Sequence, residues 1–171
     1  MVIITYVMNS GQPVYASATI GYNDLGTGNT ITVPNVQVAG YVANAHPYHH
    51  ERGHLIGKQL GGDGTDARNF VALSDGTNAP IMSDIEGFVR EILTNAGPGS
   101  SVFVEVTVDY SANHYAGSPA TPFLANSPLV IHGTMVGSVE YHVYDVQGGA
   151  ILFTRRYPNG VVKNHAALGC C

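Results

Sequence analysis

The sequence predicts an α+β fold: an antiparallel, β-rich single domain over residues 1–171, with its chemistry gathered at the centre of the chain. Three observations predict it. Charged residues make up only 11% of the chain while glycine numbers 21, a profile of strands and turns rather than of long solvated helices. Apolar or β-branched runs fill the first flank, apolar residues alternate with a period of two on the second, and one central segment, Pro80 to Asn95, carries a helical period instead. A length of 171 residues suits one domain with one core.

Taken in order, residues 2–8 and 13–20 are apolar or β-branched runs around Asn9-Ser10-Gly11-Gln12, which reads as a hairpin. Gly21 to Asn29 reads as loop. Ile31 to Val33 and Val36 to Ala43 read as short strands, the first stopped by Pro34. Gly61-Gly62-Asp63-Gly64 breaks the chain. In the helical segment Ile81, Ile85, Phe88, Val89, Ile92 and Leu93 share a face, Pro80 suits the first turn, and Gly97-Pro98-Gly99 ends it. From Ser101 to Tyr110, Val102, Val104, Val106 and Val108 alternate with polar or aromatic residues, the mark of a half-buried strand. Leu129 to Val136, Val139 to Val146 and Ile151 to Arg156 continue the pattern, with turns at Gly137-Ser138 and Gln147-Gly148-Gly149.

Charge narrows the function classes. The net charge is −5, which argues against a protein that coats nucleic acid through bulk electrostatics. It argues less against a nuclease, because a divalent cation and a few arginines hold one phosphate on an acidic protein. No apolar run approaches the ~20 residues that cross a membrane. Met1 to Tyr6 lacks a basic leader region and reads as a first strand rather than a secretory signal, so export would need another route or a longer parent protein. The two cysteines, Cys170 and Cys171, are adjacent at the end and supply neither a disulfide framework nor a zinc site.

Charge and histidine concentrate between His46 and Asn95. Four of the eight histidines (His46, His49, His50, His54) and four of the seven basic side chains (Arg52, Lys58, Arg68, Arg90) lie there. The histidines admit three readings. They form a zinc site, although Pro47 and Gly53 oppose one helix through all four. They line a polar turn. Or His54 is a general base beside a metal ion, since imidazole titrates near neutrality.

Glu51-Arg52-Gly53-His54-Leu55-Ile56-Gly57-Lys58-Gln59-Leu60-Gly61-Gly62 resembles the Asp-Arg-Gly-His-Leu motif of the DNA/RNA non-specific endonucleases, with Glu51 in place of Asp. Arg68-Asn69-Phe70-Val71 resembles the segment that follows in that family, and Asn78, Glu86 and Arg90 match its metal-binding asparagine, helix carboxylate and helix arginine. The resemblance implies a central ββα-metal (His-Me finger) motif at about 36–95. It also implies metal-dependent hydrolysis of DNA, and of RNA in some members, without base selectivity. His54 is then the base, Asn78 the ligand of Mg²⁺ or Mn²⁺, Glu86 a holder of the metal's waters, and Arg52 and Arg90 phosphate clamps. Lys58 and Arg68 are expected at substrate, and Glu51 and Asn69 as structural support. The family often serves as the toxin end of a secreted or delivered bacterial effector, held in check by an immunity or inhibitor protein.

Other readings of the same residues stay open. Glu86 and Arg90, four apart on a helix, suit a plain ion pair, and Asn78 before Pro80 suits a helix cap. Arg155-Arg156 would extend a phosphate track. A catalytically degenerate, β-rich binding module is the alternative function.

Overall fold

The computed structural model describes residues 2–31, 38, 41, 49–110, 136–147, 149–160 and 163. The expected strands at Ile31–Val33, Val36–Ala43 and Leu129–Val136, together with His46 and the terminal cysteines, lie wholly or almost wholly outside these residues.

β1 (Thr5–Asn9) and β2 (Gln12–Gly21) form the expected hairpin. Ser10 and Gly11 turn it with φ of 49° and 80°, the doubly positive pair that matches the twist of a two-residue hairpin. β5 (Ser101–Asp109), β6 (Ser138–Asp145) and β7 (Ile151–Pro158) complete an antiparallel sheet of order β1-β2-β5-β6-β7. Ser138 opens β6 rather than turning the chain, because it pairs with both Asp109 and Pro158.

One face of this sheet is the core. Ala16, Ala18 and Ile20 of β2 line up beside Val102, Val104, Val106 and Val108 of β5 and Val139, Tyr141 and Val143 of β6, all buried. Strand alternation carries the polar and aromatic residues to the other face.

Between β2 and β5, neighbours in the sheet, the chain makes one long excursion. It contains β3 (Glu51–His54), β4 (Phe70–Leu73) and α1 (Ser83–Ala96). β3 and β4 pair as a separate antiparallel ribbon, and α1 follows, so the unit is ββα. Ile85, Val89 and Leu93 of α1 and Leu55, Ile56 and Leu60 after β3 join the sheet's core face in one apolar cluster. Phe88, placed on the same helical stripe, is instead 38% exposed at its margin and rests on Phe153, ring centroids 5.1 Å apart.

The helix proper begins at Ser83, three residues later than the sequence pattern suggests. Residues Thr77–Met82 form a wider turn, with Ala79 extended at φ −147° and ψ 125°. Proline disfavours helical geometry in the residue before it, so Pro80 delays the regular helix. Among the described residues, no helix is long and apolar enough to cross a membrane.

A buried asparagine fastens the ββα unit to the sheet. Asn159 Oδ1, just past β7, accepts from the Ser74 N–H at 2.8 Å, and its Nδ2 donates to the Ala72 and Val136 carbonyls at 3.2 and 2.9 Å.

Candidate active site

The ribbon alternates. Glu51 and Gly53 meet Asn78, while Arg52 and His54 meet Tyr41 and Asn29. Asn78 Nδ2 donates to Glu51 Oε2 at 2.5 Å. A carboxylate only accepts, so this bond decides which amide atom faces Glu51 and leaves Oδ1 on the other side. Oδ1 lies against Gly53: a Cβ there would sit 2.9 Å from it and 2.4 Å from Leu73 Cδ1. Gly53 thus lets the amide oxygen reach the backbone of the residue directly before His54. The asparagine is not a helix cap, since α1 starts after Met82 with no side-chain cap.

His54 ends β3, opposite Phe70, whose ring centroid lies 4.4 Å from the imidazole. Its Nε2 is 3.3 Å from the Asn29 carbonyl oxygen. A carbonyl can only accept, so Nε2 carries the proton and Nδ1 keeps its lone pair. Burial pushes the His54 pKa down, and nearby Lys58 adds to this, against the opposing pull of the Asn29 carbonyl and Asp63. The ring is therefore neutral at physiological pH, the state a proton acceptor needs.

Glu86 reaches from α1 over the loop after β3. A Cβ on Gly57 would fall 2.0 Å from its Cδ, so the carboxylate packs directly on that glycine. Burial raises its pKa, while the Gln59 backbone N–H and Arg90 pull it back. Arg90 Nη1 donates to Gln59 Oε1 at 2.8 Å. Among the described residues no contact ion pair joins Glu86 and Arg90, so the helix-pair reading is reduced to the longer-range pull of the Arg90 charge. The fully buried Tyr141 closes the back, its hydroxyl donating to the Leu55 carbonyl at 2.8 Å.

Arg52 lies under the Tyr41 ring, 4.7 Å from its centroid, and its buried Nε has no hydrogen-bond partner among the described residues. Lys58 is exposed beside His54. Arg68 is placed differently: its guanidinium grips Asp66 at 2.6 Å and covers the Tyr6 ring at 4.9 Å. Asn69 is a brace. Fully buried, it accepts from the Ile56 N–H and donates to the Ile56 and Asp63 carbonyls, each at 3.0 Å. His50 is buried just before β3, and burial lowers its pKa. Arg156 is held by Glu140 at 2.6 Å on the exposed side of β7.

The structure thus forms three small groups: Glu51–Gly53–Asn78, His54–Asn29–Lys58, and Glu86–Gly57–Gln59–Arg90. Among the described residues, no hydrogen bond joins His54 to Asn78. An open groove of about 660 Å³ runs along α1 beside Arg90, but Asp84 and Glu91 also line it, a poor setting for phosphate. Sequence reasoning missed Asn29, Gln59 and Gly57. The glycine and the glutamine stood in the motif stretch without a role, and a backbone carbonyl such as that of Asn29 leaves no mark in a sequence.

Comparison with known proteins agrees with this architecture. No curated protein sequence matches the chain. Among solved structures, an extracellular nuclease superposes with a TM-score of 0.54 at 16% identity, covering 94% of this chain and 85% of that one. An extracellular endonuclease superposes with a TM-score of 0.50 at 16% identity, covering 91% and 68%. At that identity both likenesses speak for the fold, an antiparallel, sheet-rich α+β nuclease fold. The model of the DNA/RNA non-specific endonucleases matches residues 12–121, more than half of the chain. This chain belongs to the DNA/RNA non-specific endonuclease family.

Proposed function

We propose that this chain is a metal-dependent endonuclease that hydrolyses backbone phosphodiesters of DNA without reading bases, with His54 as general base. One observation carries the reading. His54 is a half-buried, neutral imidazole whose Nε2 is engaged by the Asn29 carbonyl, which leaves Nδ1 to take a proton from water.

The residues present fit a hard divalent cation. Asn78 offers an amide oxygen that the Glu51 clamp turns toward Gly53, beside His54, and Glu86 supplies a carboxylate on the same ββα unit. Among the described residues, no three His, Cys, Asp or Glu side chains gather, so a zinc site has no donor set there. Oxygen donors of this kind suit Mg²⁺ or Mn²⁺. When bound, such an ion offsets the negative charge that builds on the phosphate oxygens. Asn78 would hold it, Glu86 would hold its waters, and neutral Asn78 would leave its charge undiminished. Arg52 and Arg90 would grip phosphate oxygens with their planar, forked donors. Every partner named is a backbone group of the substrate, which accounts for indifference to sequence.

The single-domain reading of residues 1–171 goes with this. So does a role outside the producing cell, as the toxin part of an effector with a dedicated inhibitor protein. The names of the two similar structures, both extracellular, support that placement.

A plasmid-nicking assay in Mg²⁺ and in Mn²⁺ tests the reading. Wild type should degrade the plasmid, and His54→Ala should lose at least ~100-fold in rate. Unchanged degradation by the variant removes His54 as base. No degradation by wild type with any divalent ion favours the binding-module alternative.

A further inference from the structure

We propose that Gly28, opposed by Gly62, and Gly64, opposed by Asn29 and Thr30, are positioning residues for His54: two loop backbones pack without side chains and so present the Asn29 carbonyl to Nε2. The inference rests on His54 acting as base, and concerns what decides which ring nitrogen is free.

The contact is backbone on backbone. A Cβ on Gly28 would lie 2.4 Å from the Lys58 carbonyl oxygen and 2.6 Å from that of Gly62. A Cβ on Gly62 would lie 1.9 Å from the Ile56 carbonyl oxygen, and one on Gly64 would lie 2.2 Å from that of Thr30 and 2.5 Å from that of Asn29. No rotamer change relieves such clashes, because carbonyls belong to the chain itself. Gly28 lacks a positive φ, so its requirement is space and not conformation. Two hydrogen bonds set the register: the Asn29 N–H donates to the Gly62 carbonyl at 3.1 Å, and the Gly26 N–H to the Gln59 carbonyl at 2.8 Å.

The consequence is chemical. A neutral imidazole exists as two tautomers, and a carbonyl at one nitrogen selects the form protonated there. The segment carrying Asn29 has no strand or helix of its own to hold it. Its place comes from the glycine contacts and from those two bonds. The opposing turn also carries Gly57, on which Glu86 rests, so one backbone segment seats two candidate active-site groups.

The test is nitrogen-15 spectroscopy of the full chain labelled at histidine, with His54 assigned by comparison with His54→Ala. Wild type should show a single neutral tautomer with the proton on Nε2. Gly28→Ala and Gly64→Ala should show mixed or reversed tautomers, with nicking at least ~10-fold slower, since small misplacements at a reacting centre carry such losses. Gly87→Ala, where a Cβ meets nothing within 4 Å, is the control and should keep the wild-type spectrum. A wild-type proton on Nδ1 overturns the proposal even where a variant fails to fold. So does a folded Gly28→Ala that keeps the wild-type tautomer. If instead His54→Ala keeps full activity while Gly28→Ala still changes the tautomer, the base assignment fails and the positioning device stands.

Discussion

The side chain of Asn78 is tied to that of Glu51 by a 2.5 Å hydrogen bond, across the ββα unit. Glu51, which stands where the motif usually has aspartate, keeps a carboxylate that fixes which way the Asn78 amide faces. Glu51→Ala frees the amide to rotate. The half-saturating Mg²⁺ concentration should rise ~10–100-fold, as for other groups that orient a ligand from behind, with a smaller loss at saturating metal. Metal titration of the nicking rate measures it. An unchanged Mg²⁺ dependence would remove Glu51 from this role.

Gly57 is the floor under Glu86. A methyl group 2.0 Å from the carboxylate carbon forces the side chain away. Gly57→Ala should lose ~10-fold or more in rate and cost ~1–3 kcal/mol through overpacking. Nicking kinetics with urea unfolding on the same protein check both numbers, and a wild-type rate would show that Glu86 needs no such seat.

The pH dependence follows from His54. Burial sets its folded pKa below the ordinary 6.5, so the imidazole gains its proton only in more acidic solution. On the proposed mechanism the base is lost as pH falls through that lowered value, so the rate should rise with pH and level off by neutrality. A profile of nicking rate against pH whose acid limb is centred above 6.5 would contradict the burial argument.

Arg68 and Arg90 should part company. Arg68 is exposed and already bound to Asp66, whereas Arg90 reaches from α1 to the turn that carries Glu86's glycine. Arg90→Ala should lower kcat/KM ~10-fold or more, and Arg68→Ala should leave it nearly unchanged. Steady-state cleavage of a short duplex compares the two. A large loss in Arg68→Ala would return that residue to the substrate path.

Asn159 makes its bonds in a fully buried place between the ribbon and the sheet. Asn159→Ala leaves several buried backbone groups unpaired and should cost ~2–4 kcal/mol. A fall in the urea midpoint at constant slope is the expected reading.

How much of this was legible in the sequence follows from the range of each signal. The sequence by itself determined β5, because Val102, Val104, Val106 and Val108 mark one face at a period no other structure shares. It determined the hairpin at Ser10-Gly11 and the helix that buries Ile85, Val89 and Leu93, since all of these are written in neighbouring residues. It also set out Glu51, Arg52, His54, Asn78, Glu86 and Arg90 as a pattern of chemistry in one stretch. Only the tertiary structure decided how they are held. Glu51 meets Asn78 across 27 positions, Glu86 finds its seat on Gly57, and His54 meets the carbonyl of a residue 25 positions earlier. The reason is physical. Periodicity and capping act over a few residues, whereas a glycine's value here lies in what packs against it. A backbone carbonyl, common to every residue, becomes specific only when the fold aims it.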